Sequence, residues 1–407
     1  MSSLSQLFRA KVPELTATAP HIKRWLPPVA SGRRIRVGFL SEFLVQHTIG
    51  NLNQGFINYL DRDRFEVTVI HPPKSRQDSF RKAIDDRADK AITLPLRLRD
   101  QQQAIAAEEL DVLYYPDIGM SPATYYLAFA RLAPVQAMTW GHPDTTGLDT
   151  MDYFVSVSSF EPEGSEECYS ETLIRVNRLN CCYQPPTVPD YLPTRVELGL
   201  PETGTLYGCP QSLFKFHPEF DAVLAAIAEG DPMGFIIMIE GKYPAWVAQL
   251  KARWRKSFPV LLDRVLFLPQ MPRERFIALQ AIVDVLLDPI HFGGGNTFYE
   301  AMVFGTPMVT WPGQFMRSRI AAGGYWQMGI EDAPIASSVE EYVSLALALG
   351  RDPERRLGLR KASVEAAERE LFSDMLAVRE FEAFLEASVE SAGRGEKLTT
   401  NWKTEIT

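Results

Sequence analysis

Short runs of β-branched and aromatic residues alternate along this chain with longer stretches whose apolar positions recur every three to four residues. RIRVGFL, beginning at Arg34, reads as a strand, followed by a helical pattern over Asn51–Leu60 and the strand FEVTVIHP from Phe65. KAITLPL, the helical LRDQQQAIAAEEL and the strands DVLYYPDI, PVQAMTW and DYFVSVSS continue the alternation. This spacing predicts βαβ units around a largely parallel sheet.

Around Cys182–Leu200 the pattern stops. CCYQPPTVPDYLPTRVELGLP carries five prolines and no periodicity, as a linker would. Alternation then restarts with TLYGCPQ, a helix over His217–Glu229, GFIIMIEG, a helix over Trp246–Ser257, RVLFLPQ, a helix over Glu274–Ile282, VDVLLDPI, a helix over Asn296–Phe304 and PMVTWPG. The pattern therefore predicts an extension over 1–32, a first doubly wound domain over 33–182, a linker over 183–203 and a second domain over 204–370. A carboxyl-terminal helix with a frayed polar tail is expected over 371–407. Two such domains imply a cleft between facing sheet edges, with ligands outside the carboxyl ends of the strands.

Composition narrows the function. A chain of 407 residues is too long for one ordinary core and suits two. Its 46% hydrophobic and 23% charged residues are those of a globular protein. No run approaches the roughly 20 apolar residues of a membrane helix, and MSSLSQLFRAKVPELTATAP lacks an apolar signal core, so no membrane span and a cytoplasmic location are expected. A net charge of −9 without a long basic run argues against a nucleic-acid partner. Cys168, Cys181, Cys182 and Cys209 form no CxxC pair and read as reduced thiols. The six histidines are scattered, so no metal site is expected. Asp61-Arg-Asp63 reads as a helix-to-strand turn, and Trp140 as core.

The candidate chemistry lies in HFGGGNTFYEAMVFGTPMVTWPG, from His291 to Gly313. It follows an apolar strand, so Gly293–Gly295 form a strand-to-helix loop. Thr297 and Glu300 have the T-x-x-E spacing of a capping box, which makes one reading a capped turn. In the other, the helix N-terminus stays open to a diphosphate, where free N–H groups and the helix dipole favour anions. Glu300 then accepts hydrogen bonds from a ribose. No GK[ST] follows, and the loop is neither GxGxxG nor in the first βα turn, which disfavours a dinucleotide oxidoreductase. Lys215, in YGCPQSLFKFHPEF, follows the second domain's first strand. In a doubly wound order it shares a rim with the glycine loop, where a cation neutralises a leaving diphosphate.

Taken as a set, these segments resemble the catalytic region of the family 41 glycosyltransferases, the group of the O-linked N-acetylglucosamine transferases and plant protein O-fucosyltransferases. The segments are VGFLSEFLVQHT with DRDRFEV, APVQAMTWGHPDTTGLDTMDYFVS, CPQSLFKFHPE, RVLFLPQMPRERF, VDVLLDPIHFGGGNTFYEAMVFGTPMVTWPG and SRIAAG. They run from Arg33 to Gly350. The resemblance implies a GT-B fold, two Rossmann-like domains facing across a cleft. It also implies an inverting, metal-independent transfer of a sugar from a nucleoside diphosphate to a protein or peptide side chain. No cofactor is expected beyond the nucleotide-sugar donor, with UDP-N-acetylglucosamine favoured and GDP-fucose as the other donor.

The resemblance makes Lys215 the diphosphate contact and puts Gln211 or Ser212 at a donor-contacting position. Gly294, Gly295, Asn296 and Thr297 take the place of the diphosphate loop, where Gly-Asn-Thr departs from the family's His-Thr-Thr or Thr-Thr-Thr. Glu300 matches the ribose contact, and Gln270 and Met271 meet the base. Arg273 stands for a lysine, and Phe276 for a histidine that stacks near the base. In the first domain His47 and Asp117 are candidates to take the acceptor's proton, and His142 to line the acceptor side. No tetratricopeptide array is present, so a bacterial-type form with a dedicated acceptor or an adaptor protein is implied. Two other readings are a nucleotide-sugar 2-epimerase, for which the first-domain rim offers mainly Glu42 and Asp117, and a catalytically idle binding module.

Overall fold

Two parallel sheets organise the chain, and in both the earliest strand lies inside the sheet rather than at its edge. The computed structural model describes residues 1–28, 32–404 and 406. The first sheet holds β1 (Ile35–Leu40), β2 (Phe65–His71), β3 (Lys90–Thr93), β4 (Val112–Tyr115), β5 (Val135–Thr139), β6 (Tyr153–Val157) and β7 (Thr172–Val176), in the order β3-β2-β1-β4-β5-β6-β7. The second holds β8 (Leu206–Gly208), β9 (Phe235–Ile239), β10 (Val265–Leu268), β11 (Val285–Leu287) and β12 (Met308–Val309), in the order β10-β9-β8-β11-β12.

Both orders are doubly wound. Val37 of β1 pairs with Val67 on one side and Val112 on the other, and Tyr207 of β8 pairs with Ile236 and with Val285. The crossovers leaving the first strand and its far neighbour run in opposite directions, so the loops at their carboxyl ends part and leave a crevice. That topological switch point lies at β1/β4 in the first sheet and β8/β11 in the second.

Most of the strands bury both faces, which is why they read as continuous apolar runs rather than as alternation, the edge strand β3 being the exposed exception. Val37, Phe39, Val67, Val112, Tyr114 and Phe154 are all fully buried in the first sheet, as are Val285 and Val309 in the second. Around the second sheet, Phe220 of the helix Pro218–Gly230, Trp254 of the helix Pro244–Ser257 and Tyr342 of the helix Val339–Arg351 complete one apolar cluster.

The chain divides into one unit of Met1–Gln184 with Ser373–Thr407 and another of Pro185–Phe372. These limits differ from the sequence-based ones at both termini. The helix Ser2–Lys11 is part of the first unit, where Phe8 packs on Phe129 and the Ser5 hydroxyl donates to the Gly147 carbonyl at 2.6 Å. The carboxyl-terminal helix Met375–Gly393 closes over β1 and β4, with Phe381 stacked on Phe56 at 4.5 Å and edge-on to Tyr114. The tail beyond Gly393 is docked rather than frayed. Leu398 donates its N–H to the Tyr153 hydroxyl at 2.9 Å, and Lys397 pairs with Asp152 at 2.8 Å.

The strand β7 and the helices Ser79–Asp85 and Pro122–Ala128 have no counterpart in the sequence-based reading. Asp61 accepts the Asp63 N–H at 2.9 Å, the expected turn, and Trp140 is buried. No helix among the described residues is long and apolar enough to cross a membrane.

Candidate functional site

At the β8/β11 switch point the two diverging loops carry Gln211 to His217 and Asp288 to Gly295. Strand β11 is followed at once by Asp288, a carboxylate only 2% exposed at the end of an apolar run. One of its oxygens accepts the Gly294 N–H at 2.7 Å and the other the Thr310 hydroxyl at 2.8 Å. Burial pushes its pKa up to about 6, against those two hydrogen bonds and the pull of Lys215.

Two of the glycines fit tightly against what surrounds them. A Cβ on Gly293 would lie 2.6 Å from an Asp288 oxygen, and one on Gly294 would lie 2.4 Å from Nε2 of Gln211. The loop thus threads between the carboxylate and the amide. Lys215 completes the clamp from the other loop, donating to the Gly293 carbonyl at 2.9 Å with its ammonium 4.3 Å from the Phe292 ring centre. Burial lowers its pKa to about 8, partly offset by Asp288. At neutral pH it still carries its charge.

The capping box is not formed. The helix runs Asn296–Met302 with Gly295 as its N-cap and no side-chain cap, so Thr297 falls inside the first turn. Glu300 instead places an oxygen 2.8 Å from Arg273 Nη1, and the side chains of Asn296 and Gln280 also favour its ionised carboxylate. The helix starts at Asn296, as its apolar pattern predicts, two residues before the start that a Thr297 cap would give, and the Gly294 N–H just ahead of it is held by Asp288. Glu300 is 1% exposed and its pKa is raised by burial against the opposing charge of Arg273, so a ribose would have to displace that guanidinium.

Beside the clamp lies a cavity of about 420 Å³ lined by Gln211, Ser212, Gln270, Met271 and Phe276, together with Glu240 and Trp246. Gln211 is 6% exposed, and its Nε2 has no partner among the described residues, a buried donor facing the glycine loop. A second cavity of about 610 Å³ is lined by Lys215, His217, Glu219, His291, Phe292 and Arg317, among others.

The first unit builds a different group at its own switch point. His47 caps the helix Thr48–Tyr59, its Nδ1 accepting the Ile49 N–H at 3.2 Å while the ring stacks on Phe43 at 4.7 Å. Burial, and then Arg76, lower its pKa, so the ring is neutral near pH 7. With Nδ1 accepting, the proton of the neutral ring sits on Nε2, which then donates. Asp117, fully buried after β4, accepts the Ser41 hydroxyl at 2.9 Å, and its other oxygen has no partner among the described residues. Burial, aided by Glu42, pushes its pKa up to about 7. Glu42 itself accepts the Ser121 hydroxyl. The His142 ring lies against Gly119, whose φ is +111° and where a Cβ would come within 2.8 Å of the imidazole.

A model of glycosyl transferase family 41 matches residues 15–180 and 184–383, most of this sequence. The chain belongs to that family. Among curated relatives, it is 29% identical over 263 residues to a UDP-glucose:protein N-beta-glucosyltransferase of Actinobacillus pleuropneumoniae, covering 62% of this chain and 40% of that one. It is 24% identical over 351 residues to a probable UDP-N-acetylglucosamine–peptide N-acetylglucosaminyltransferase of Arabidopsis thaliana, covering 84% of this chain and 35% of the other. The chain therefore spans less than half the length of these relatives. Among solved structures, an O-GlcNAc transferase mutant of Thermobaculum terrenum superposes with a TM-score of 0.79 at 25% identity over 89% of this chain and 69% of that one. Anabaena HepE in complex with UDP and glucose shares the fold, with a TM-score of 0.57 at 14% identity over 87% of this chain and all of the other. The fold is GT-B.

Set against the family 41 assignments, the second unit gathers Gln211, Lys215, Gly294, Gly295 and Asn296 at one switch point. Ser212, Gln270, Met271 and Phe276 line the cavity beside them, with Phe276 half-buried at its wall. Arg273 and Glu300 form a pair of their own. In the first unit His47 and Asp117 share the β1/β4 switch point, and His142 lies on the adjoining loop. Sequence reasoning missed Asp288, although a lone acid ending an apolar strand at the carboxyl edge is a legible signal. It also missed the approach of His217, Glu219 and His291, whose ligand atoms lie within 4.8 Å of one another.

Proposed function

We propose that this chain is a glycosyltransferase that moves a sugar from a UDP-sugar to a protein or peptide side chain with inversion. The observation that carries the reading is the clamp at β8/β11, where a charged, half-buried Lys215 and a glycine loop held by Asp288 adjoin a cavity of nucleoside size. Lys215 and the loop stabilise the departing diphosphate, so the donor step needs no metal ion. The nucleobase enters the 420 Å³ cavity against Phe276, with Gln270 and Met271 at its edge and the Gln211 amide donating to the donor. The acceptor's proton goes to Asp117, directly or through Ser41, because a carboxyl titrating near 7 suits a general base at neutral pH. His47 donates from Nε2 and orients an oxygen.

The test is thermal melting of the purified protein with UDP, GDP, CDP and ADP in EDTA. A nucleotide at 100 times its Kd adds about 2.7 kcal/mol. A shift with UDP alone is expected, and none with any nucleotide would end the donor reading. Incubation with UDP-glucose or UDP-N-acetylglucosamine and peptides bearing Ser, Thr or Asn then identifies sugar and acceptor by mass. The favoured donor is UDP-N-acetylglucosamine. Free epimerised sugar without any acceptor would instead make the chain an isomerase.

A further inference from the structure

We propose that His217, Glu219 and His291 form a binding site for a transition-metal cation of the zinc class, which ties together the two loops of the second switch point. Nothing in the proposed transfer uses these residues, and they come from separate stretches of chain. His217 and Glu219 flank Pro218 at the start of the helix Pro218–Gly230, and His291 opens the glycine loop. Two imidazoles and a carboxylate are the donor set that suits zinc, copper or nickel rather than magnesium or calcium.

The geometry is close to what such an ion needs. One Glu219 oxygen lies 2.7 Å from His291 Nε2 and 3.9 Å from His217 Nδ1, and the imidazole centres are 4.3 Å apart. Ligands about 2.0–2.1 Å from a tetrahedral ion are about 3.3 Å from one another. The observed separations straddle that value, so side-chain rotations suffice. His217 Nδ1 has only a long bond to give up, the 3.3 Å acceptance of the Glu219 N–H. The three side chains are exposed and line the same 610 Å³ cavity as Lys215, so an ion has an entry path and room for water or an anionic oxygen as its fourth ligand.

An ion held there would pin His291, three residues before Gly294, to the loop that carries Lys215. It would act by restraining both loops and is separate from the diphosphate chemistry assigned to Lys215. Because metal binding is measured without nucleotide, its outcome is independent of the donor reading.

The experiment uses tag-free protein stripped with EDTA, dialysed, and titrated with Zn²⁺ against a chromophoric chelator. Parallel variants are His291→Ala, Glu219→Gln and His217→Asn, the last keeping a side chain able to cap the helix. One Zn²⁺ per chain is expected, with each variant weakened at least about tenfold and melting like the metal-free wild type. Co²⁺ should give the visible absorption of a four-coordinate site, absent in His291→Ala. Zinc binding that is unchanged in the variants, or no retained zinc in the wild type, would overturn the proposal.

Discussion

The two switch points occupy the same place in the same topology, and each carries a buried aspartate just past the end of its fourth strand. The similarity stops there. Asp288 has both oxygens engaged, by the Gly294 N–H and the Thr310 hydroxyl, with Lys215 near enough to favour its charge. Asp117 has one oxygen on Ser41, the other without a partner among the described residues, and Glu42 as its electrostatic neighbour. Satisfied hydrogen bonds make the first a clamp that shapes a loop. An under-satisfied carboxyl titrating near 7 is instead equipped to gain and lose a proton. The fold thus supplies the position, and partners decide whether it serves architecture or chemistry.

The sharpest way to break this contrast is Asp288→Ala. It strands a buried N–H and a buried hydroxyl, each costing about 1–3 kcal/mol. Chemical denaturation should show a loss of about 2–6 kcal/mol, and the UDP-induced thermal shift should vanish. A variant that melts like wild type would show that the loop holds itself.

Next in size is Lys215→Met, expected to lower turnover on the order of 10²-fold, as removal of one transition-state donor does. The lysine also has a pH signature. Its pKa is depressed to about 8, so the ammonium needed for a diphosphate disappears as pH rises through that value. UDP affinity of the wild type should fall above about pH 8, whereas Lys215→Arg should flatten the profile, because a guanidinium stays charged. A flat wild-type profile would remove Lys215 from the diphosphate site.

Asp117 tests the other half of the comparison. Its folded pKa lies near 7 and its ordinary value near 3.8, so the native state binds a proton that the unfolded chain releases. The contribution is complete below the ordinary carboxylate range and is lost as pH rises towards 7, by up to about 1.4 kcal/mol per pH unit. Asp117→Asn should remove that slope from stability measured across this window, and with it most transfer activity. A slope unchanged in the variant would place the titration elsewhere.

Much of this was legible in the residues. The doubly wound sheets follow from apolar runs alternating with helical periods, and the placing of Lys215 beside Gly293–Gly295 follows from the strand order such sheets adopt. What escaped depends on long-range pairing. The capping-box spacing of Thr297 and Glu300 is local, but the helix starts at Asn296 with Gly295 as its N-cap, in a loop held by Asp288, nine and twelve residues upstream of them. The helix Met375–Gly393 carries no mark of the sheet it covers, because Phe56 and Tyr114, the partners of Phe381, lie far towards the other end of the chain. His217 and His291 are scattered along the chain and meet only because β8 and β11 are neighbours.

The smallest effect separates two roles for His47. In the cap its Nδ1 accepts a backbone N–H, which leaves the proton of the neutral ring on Nε2 and makes the ring a donor. His47→Ala should cost about 1 kcal/mol in denaturation, the loss of one N-cap, and His47→Asn should restore most of it, since asparagine caps well. The ring's depressed pKa adds a pH term. Below about 6.5 the unfolded chain takes up a proton that the folded ring resists, so wild-type stability falls with pH there, and both variants should lose that dependence. Transfer distinguishes donor from base. His47→Gln can bring an amide N–H to where Nε2–H was, so a donating role predicts partial activity in Gln and little in Ala. Equal loss in both, with UDP affinity intact, would mean that the imidazole takes the proton and that the cap geometry relaxes during catalysis.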